Sequence, residues 1–412
     1  MLSLRCPTNI PTQEVKKILL RLPNWLGDSV MVSPAFEWLK HSFDKANFTL
    51  VGSKASCGIY ERDERVKHIF IDESKKARSR ILATKTLAQN IGKHDIAISF
   101  SNTFFSALLL YLSKSAVRIG YAKNARSFLL THALPLEKYD SQGQKYHQVF
   151  LYLLLITPLV QVQKQAIASY TKTLSTLTES SHLTQNKHFS PKDILSILAT
   201  QPLTLISHTQ TLHQSHTHTI GINPGAAFGS AKRWEQSHFI TIIEHFLTQG
   251  YEVYLFGSSA ESDANTSIAN AFIAHSQNQH FHNLTDKTNL SELIDYIAAM
   301  DIFITNDSGP MHIGAALKIP MIVIFGPTDM NETAPYIPSV PCVRKDSISF
   351  CEDQQVKSLY ALVCKSLPCA PCKKRECPLK HHNCMKLITP TEVITQTQNL
   401  LKLHYKRLDN DT

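Results

Sequence analysis

No run in these 412 residues stays apolar long enough to cross a bilayer. The two longest, Phe104 to Leu112 and Val149 to Val160, extend roughly 9 to 12 residues, and Pro158 interrupts the second, whereas a spanning helix needs about 20. The opening, MLSLRCPTNIPTQEVKK, has neither an apolar signal core nor a cleavage site of small residues. A soluble protein is therefore expected. A G-x-G-x-x-G fingerprint and the GK[ST] of a Walker loop are both missing, which counts against a dinucleotide oxidoreductase and a P-loop enzyme. The only Asp-x-Asp runs from Asp409 to Asp411 in the tail, leaving no obvious metal–diphosphate clamp.

What is present fits an ordinary globular chain of 43% hydrophobic and 18% charged residues, too long for one core and sized for two domains. The net charge of +9 suggests an anionic partner without choosing among nucleic acid, phosphorylated lipid and small acidic molecules. The nine cysteines are odd in number and crowd the C-terminal part, so reduced thiols of a cytoplasmic protein are the simpler reading.

Short apolar runs alternate with helical patterns along most of the chain, which implies parallel sheets covered on both faces. In the first half, strands are expected at Lys17–Leu22, Phe48–Val51, His68–Ile71, Asp95–Phe100 and Val117–Tyr121, with a helix over Val30–Phe43. From about Gln161 to His218 the composition turns to Ser, Thr, Gln and His without Gly. That stretch reads as an insertion or linker with one helix near Pro191–Ala199, and its histidines 213, 216 and 218 as solvated. The alternation then restarts. Strands are expected at Thr219–Asn223, Tyr251–Phe256, His280–Leu284, Asp301–Thr305 and Met321–Phe325. Helices are expected at Trp234–Gln249, Ser259–His275, Leu290–Met300 and Pro310–Leu317. The resulting domains are residues 1–205 (including the 161–218 insertion) and 206–389, two Rossmann-like parallel-sheet domains facing across a cleft. A last helix and tail, 390–412, is expected to pack back on the first domain.

Three constellations carry chemistry. In Asn24-Trp25-Leu26-Gly27-Asp28, Gly27 permits a tight turn, and Asp28 either caps the next helix or serves as a general base. In Asn223 to Trp234, a small-residue loop with Ala227 and Phe228 precedes Lys232 and Arg233, a pattern that brings backbone N–H groups and a point charge to a phosphate. In Thr305 to Ala316, a strand delivers Asp307-Ser308-Gly309 to the start of a helix whose first-turn amides and His312 suit a diphosphate. The ends of two neighbouring strands, carrying Glu261 and Thr288, are placed to meet a nucleoside. A fourth group, Cys364, Cys369, Cys372, Cys377 and Cys384 with His381 and His382, has metal-ligand character, but the second C-x-x-C of a zinc ribbon is missing. Packing or surface thiols are expected there, with no metal.

Leu20 to Met31, Pro224 to Trp234, Asn306 to His312 and the tail from Cys377 to Pro390 together resemble the heptosyltransferase II branch of glycosyltransferase family 9. Two positions depart from that pattern: Glu235 stands where the family usually has Pro, and Ala227 where many members carry a polar residue. The resemblance implies the GT-B fold and an inverting, metal-independent transfer from ADP-heptose to an inner-core heptose of a lipid A–Kdo–heptose acceptor. It implies contact with the anionic inner-membrane surface, no cofactor and no nucleic acid. Asp28 is then the base and Lys232 offsets the leaving diphosphate. Trp25, Gly27, Ala227, Phe228, Asp307, Ser308, Gly309 and His312 surround the donor, with Glu261 and Thr288 near its nucleoside. Related family members with other acceptors are an alternative. A basic nucleic-acid-binding protein with a zinc module is another, but Lys373, Lys374 and Arg375 have no interleaved aromatics. A catalytically inactive relative is disfavoured by the presence of Asp28 and Lys232.

Overall fold

The computed structural model describes residues 15–139, 143, 145–159, 198–199, 201–208, 218–273, 278–336, 338, 348–352 and 359–411. Most of the 161–218 stretch, including His213, His216 and nearly all of the helix expected at Pro191–Ala199, lies outside them. The chain divides into two units, Met1–Thr204 and Leu205–Thr412.

The first unit is built on β1 (Lys17–Arg21), β2 (Asn47–Gly52), β3 (Val66–Ile71), β4 (Ile96–Ser99), β5 (Val117–Tyr121) and β6 (His132–Leu134). They form one sheet in the order β3-β2-β1-β4-β5-β6 with every pair parallel. β1 is central, and Ile18, Leu19 and Leu20 are fully buried because helices cover both faces. One helix is expected over Val30–Phe43; the chain forms two, α1 (Leu26–Met31) and α2 (Ser33–Ser42). The cause is Pro34, which has no N–H to return to Val30, so the ladder breaks at Val32 and restarts with proline in its first turn. Further helices among the described residues are α3 (Lys54–Gly58), α4 (Arg80–Ile91), α5 (Phe104–Leu112) and α6 (Gln148–Ile156).

The second unit has β7 (Thr219–Asn223), β8 (Glu252–Leu255), β9 (Phe281–Asn283), β10 (Ile302–Asn306), β11 (Met321–Phe325), β12 (Ile348–Glu352) and β13 (Leu359–Cys364). Their order is β12-β13-β11-β10-β7-β8-β9, with only β12 antiparallel. The six parallel strands therefore repeat the order of the first sheet, each reversing direction of growth at its first strand. The helices are α7 (Gln236–Thr248), α8 (Ser262–Asn270), α9 (Leu290–Ala298), α10 (Gly309–Ala316), α11 (Met330–Thr333), α12 (Asn383–Lys386) and α13 (Pro390–Asp411). Val393, Leu400 and Leu401 of α13 are buried in one cluster with Phe239 and Phe246 of α7 and Val363 of β13. These described residues of the last helix, expected to pack back on the first domain, pack on elements of the second unit. No described helix is long and apolar enough to cross a membrane.

Candidate active site

In a doubly wound sheet the strand order reverses between two neighbours, and the loops leaving their carboxyl ends part to leave a crevice. In the second unit that point lies between β7 and β10. Asn223 ends β7, and its side-chain amide donates to Ser308 Oγ at 3.2 Å and to Thr305 Oγ1 and the Gly225 carbonyl at 3.4 Å. Asn306 ends β10 and donates to the Pro224 carbonyl at 2.6 Å. Two buried asparagines thereby tie both loops together.

The Ser308 hydroxyl, engaged with Asn223 and Thr305, does not cap α10, although Ser308 occupies the N-cap position. The first-turn amides of α10 receive no side-chain cap, and the positive end of the helix dipole stands at the crevice. This is the arrangement that accepts a phosphate. Lys232 brings a full charge to the same edge: its Nζ lies 2.6 Å from Asp307 Oδ2 and 3.4 Å from the Asp307 carbonyl. Asp307, only 4% exposed, also accepts from the Thr328 hydroxyl. The carboxylate is thus committed to holding the ammonium in place. Phe228 adds a half-buried ring with Lys232 Nζ 5.1 Å and Arg375 Cζ 5.4 Å from its centroid.

Two glycines in the β7–α7 loop are required by contact. A Cβ on Gly225 would stand 1.8 Å from a Glu261 carboxylate oxygen. The other Glu261 oxygen accepts from Ser258 N at 2.8 Å and Ser258 Oγ at 2.9 Å, closing a capping box. A Cβ on Gly229 would meet the Arg375 carbonyl at 2.3 Å. The same carbonyl accepts from Ala231 N at 3.0 Å, and His382 Nε2 donates to the Ala231 carbonyl at 2.8 Å. The cysteine-bearing segment 369–384 therefore clasps the loop that carries Lys232. Burial pushes the Cys384 thiol up to about 11, and the charges of Cys372, Cys377 and Cys369 push the same way.

In the first unit, β1 leads into the turn that carries Asp28. Buried Arg21 donates to Asn24 Oδ1 and Asp72 Oδ2, both at 2.9 Å, and to the Leu22 carbonyl. Ser53 and Ser56 hold the Asn24 and Pro23 carbonyls at 3.0 and 2.6 Å. Burial alone would raise the Asp72 pKa, but hydrogen bonding from Ser74 and the Arg21 charge hold it below the usual carboxylate range. Asp28 falls in the first turn of α1, where the helix dipole favours a carboxylate, and it is not the N-cap, a position that Trp25 takes without a side-chain bond. Its partner is the Tyr152 phenol of α6. Burial raises the Tyr152 pKa well above its ordinary value, and the Asp28 charge and the hydrogen bond to it add in the same direction.

Among the expected residues, Lys232, Asp307 and Phe228 meet directly, and Ser308 and Gly309 start the adjoining helix. His312 is buried in its first turn, and Glu261 abuts Gly225. Ala227 is exposed, and Thr288 stands half-buried before α9, outside the hydrogen bonds above. Trp25, 46% exposed, and buried Gly27 sit beside Asp28 in the first unit. Four contributors carry no local signal: Thr328, Arg375, Tyr152 and the Arg21–Asp72 pair each act across long sequence separations.

Residues 84–362 match the family model of glycosyltransferase family 9 (heptosyltransferase). The chain is 33% identical over 387 residues to lipooligosaccharide heptosyltransferase 2 of Campylobacter jejuni, covering 94% of this chain and 98% of that one. It is 27% identical over 329 residues to the Haemophilus influenzae lipooligosaccharide heptosyltransferase 2, covering 79% and 88%. Its fold matches the E. coli ADP-heptose lps heptosyltransferase II structure with a TM-score of 0.65 at 22% identity, over 94% of this chain and 99% of that one. With the family model matched over residues 84–362 and a relative 33% identical over nearly the whole of both chains, the chain belongs to glycosyltransferase family 9, the heptosyltransferases.

Proposed function

We propose that this enzyme transfers heptose from ADP-L-glycero-D-manno-heptose to the inner-core heptose of a lipid A–Kdo–heptose acceptor, with inversion and without a catalytic metal. One observation carries the donor half of the reading: Lys232, locked by Asp307 beside the uncapped start of α10 at the switch point of the second sheet. The diphosphate rests on the free backbone N–H groups of Gly309 and Met311, Pro310 having none, with Ser308 and His312 alongside. The nucleoside lies toward Glu261 and Thr288, while Trp25, Gly27, Ala227 and Phe228 complete the donor surroundings.

In the reaction the acceptor hydroxyl oxygen bonds to the anomeric carbon as the bond from that carbon to the diphosphate oxygen breaks. The electron pair leaves with ADP, and the hydroxyl proton passes to Asp28. A single displacement inverts the anomeric centre. Its oxocarbenium-like transition state is favoured by charge at the leaving group, supplied by Lys232 and the helix dipole, and by the activated hydroxyl. Asp307 acts by orienting Lys232, which is consistent with its burial against the ammonium. The family membership and the type 2 names of the relatives support the donor and acceptor. The net charge of +9 supports a peripheral seat on the anionic cytoplasmic face of the inner membrane.

The test is incubation of the full chain with truncated lipopolysaccharides and a panel of ADP-hexoses and ADP-heptoses, read by mass. Addition of a single heptose to acceptors that end in the first inner-core heptose is expected. Transfer only to heptose-free Kdo–lipid A, or only from other sugars, refutes the assignment.

A further inference from the structure

The cysteines near the C-terminus remain unused by the transfer chemistry. Cys369-x2-Cys372-x4-Cys377-x6-Cys384 is the spacing, and in the fold all four line one small cavity with His381 and His382, closed on its other side by Ala231 and Pro327. The cavity holds about 20 Å³, the room of a single water-sized body. Cys384 is buried at the edge of the second unit's apolar cluster, and the other three are half-buried, so the sulfurs are sheltered. Cys369 Sγ stands 4.0 Å from His381 Nε2. Lys373, Lys380 and His382 take left-handed backbone angles of φ 56°, 58° and 58°. Such angles are unusual for non-glycine residues, and here they fold a short polar segment back around its thiols. Hydrophobic packing gives no reason for that path, since Lys374, Arg375, Glu376, Pro378, Leu379 and Lys380 are all exposed.

We propose that this cavity is a structural site for one thiophilic metal ion, zinc or iron, ligated by Cys369, Cys372, Cys377 and Cys384. Four sulfur donors at these short spacings select such ions over magnesium, calcium or manganese. Among the described residues no group of three or more His, Cys, Asp or Glu side chains already stands in coordination geometry. Metal entry accordingly turns the thiols inward and tightens the segment. The consequence reaches the loop before α7, because Arg375 and His382, on the segment's own turns, hydrogen-bond both sides of Ala231 next to Lys232. The ion serves as a staple for that loop and takes no part in bond breaking.

Elemental analysis of the full chain, purified without chelator, is expected to show about one equivalent of zinc or iron; a bound iron thiolate would also colour the protein, which separates the two. The metal-stripped chain is then titrated with zinc alone while its cysteines are alkylated and mapped by mass spectrometry. Protection of about tenfold or more at these four thiols, with Cys364 unprotected and no protection by magnesium, supports the site. Slower amide exchange at 229–232 on zinc addition supports the staple. Cys372→Ser and Cys377→Ser should each lose the metal and Cys364→Ser keep it. Unprotected thiols in the wild-type chain, or metal retained by a Cys372→Ser/Cys377→Ser double variant, overturns the proposal, and the first result needs no variant to fold.

Discussion

The two units share one strand order, yet the turn after the first strand carries opposite charge in each. In the first unit, Asn24 to Asp28 closes tightly and sets a carboxylate on the first turn of a helix, held by Tyr152. In the second, the turn lengthens to span 224–235 and sets an ammonium beside the start of a different helix, held by Asp307. On the proposed function, a common scaffold thus offers an acid–base group from one copy and an anion seat from the other. The difference comes from loop length and one residue type, since both sheets have comparably buried central strands.

The largest expected effect separates these roles. Asp28→Asn should lower turnover by about 10²- to 10⁴-fold, the range for loss of a general base; unchanged turnover would remove Asp28 from the chemistry. Next comes the support beneath it. Asp72→Asn leaves the Arg21 guanidinium without its carboxylate and should destabilise the first unit by about 3 kcal/mol near neutral pH, the lower end for a broken buried pair. The sign with pH follows from the lowered Asp72 pKa. The ion pair's stabilisation is present above the ordinary carboxylate range and lost as pH falls through the lower folded value. Wild type and variant should thus converge in acid, by chemical denaturation; a gap independent of pH contradicts the assignment.

Gly229→Ala probes the second unit's clasp. Its new Cβ meets backbone, the Arg375 carbonyl, which cannot swing aside as a side chain would. A loss of about 2 kcal/mol is expected, and melting at the wild-type temperature would show that the two segments separate freely. The smallest effect is at Tyr152→Phe, which removes a hydrogen bond to a charged group and should lower turnover about tenfold with ADP affinity unchanged. If ADP binding falls instead, Tyr152 supports the donor and not the base.

Much of this contrast was legible in the sequence because it is local. Alternating strands and helices announced both sheets, Val117–Tyr121, Thr219–Asn223 and Met321–Phe325 fall at their expected bounds, and the Lys232 and Asp307 motifs each end a strand. What escaped is non-local or brief. β6 is three residues long, too short for periodicity to register. β12 and β13 follow the last expected strand without a helical crossover pattern between them. Pro34 divides a continuous apolar pattern by removing a single donor. Arg375 reaches Phe228 across a long stretch of chain whose only signal was cysteine spacing, and the commitment of Asp307 to Lys232 is a pairing that neither motif reveals alone.

The central claim of the proposed function is that the second unit seats the donor's diphosphate and the first removes the proton. Calorimetric titration of ADP into wild type, Lys232→Ala and Asp28→Asn tests it most directly. Loss of a charge-assisted contact should weaken ADP binding to Lys232→Ala by about tenfold or more, while Asp28→Asn binds as wild type does. Undiminished affinity in Lys232→Ala, or lost affinity in Asp28→Asn, would contradict the division of labour.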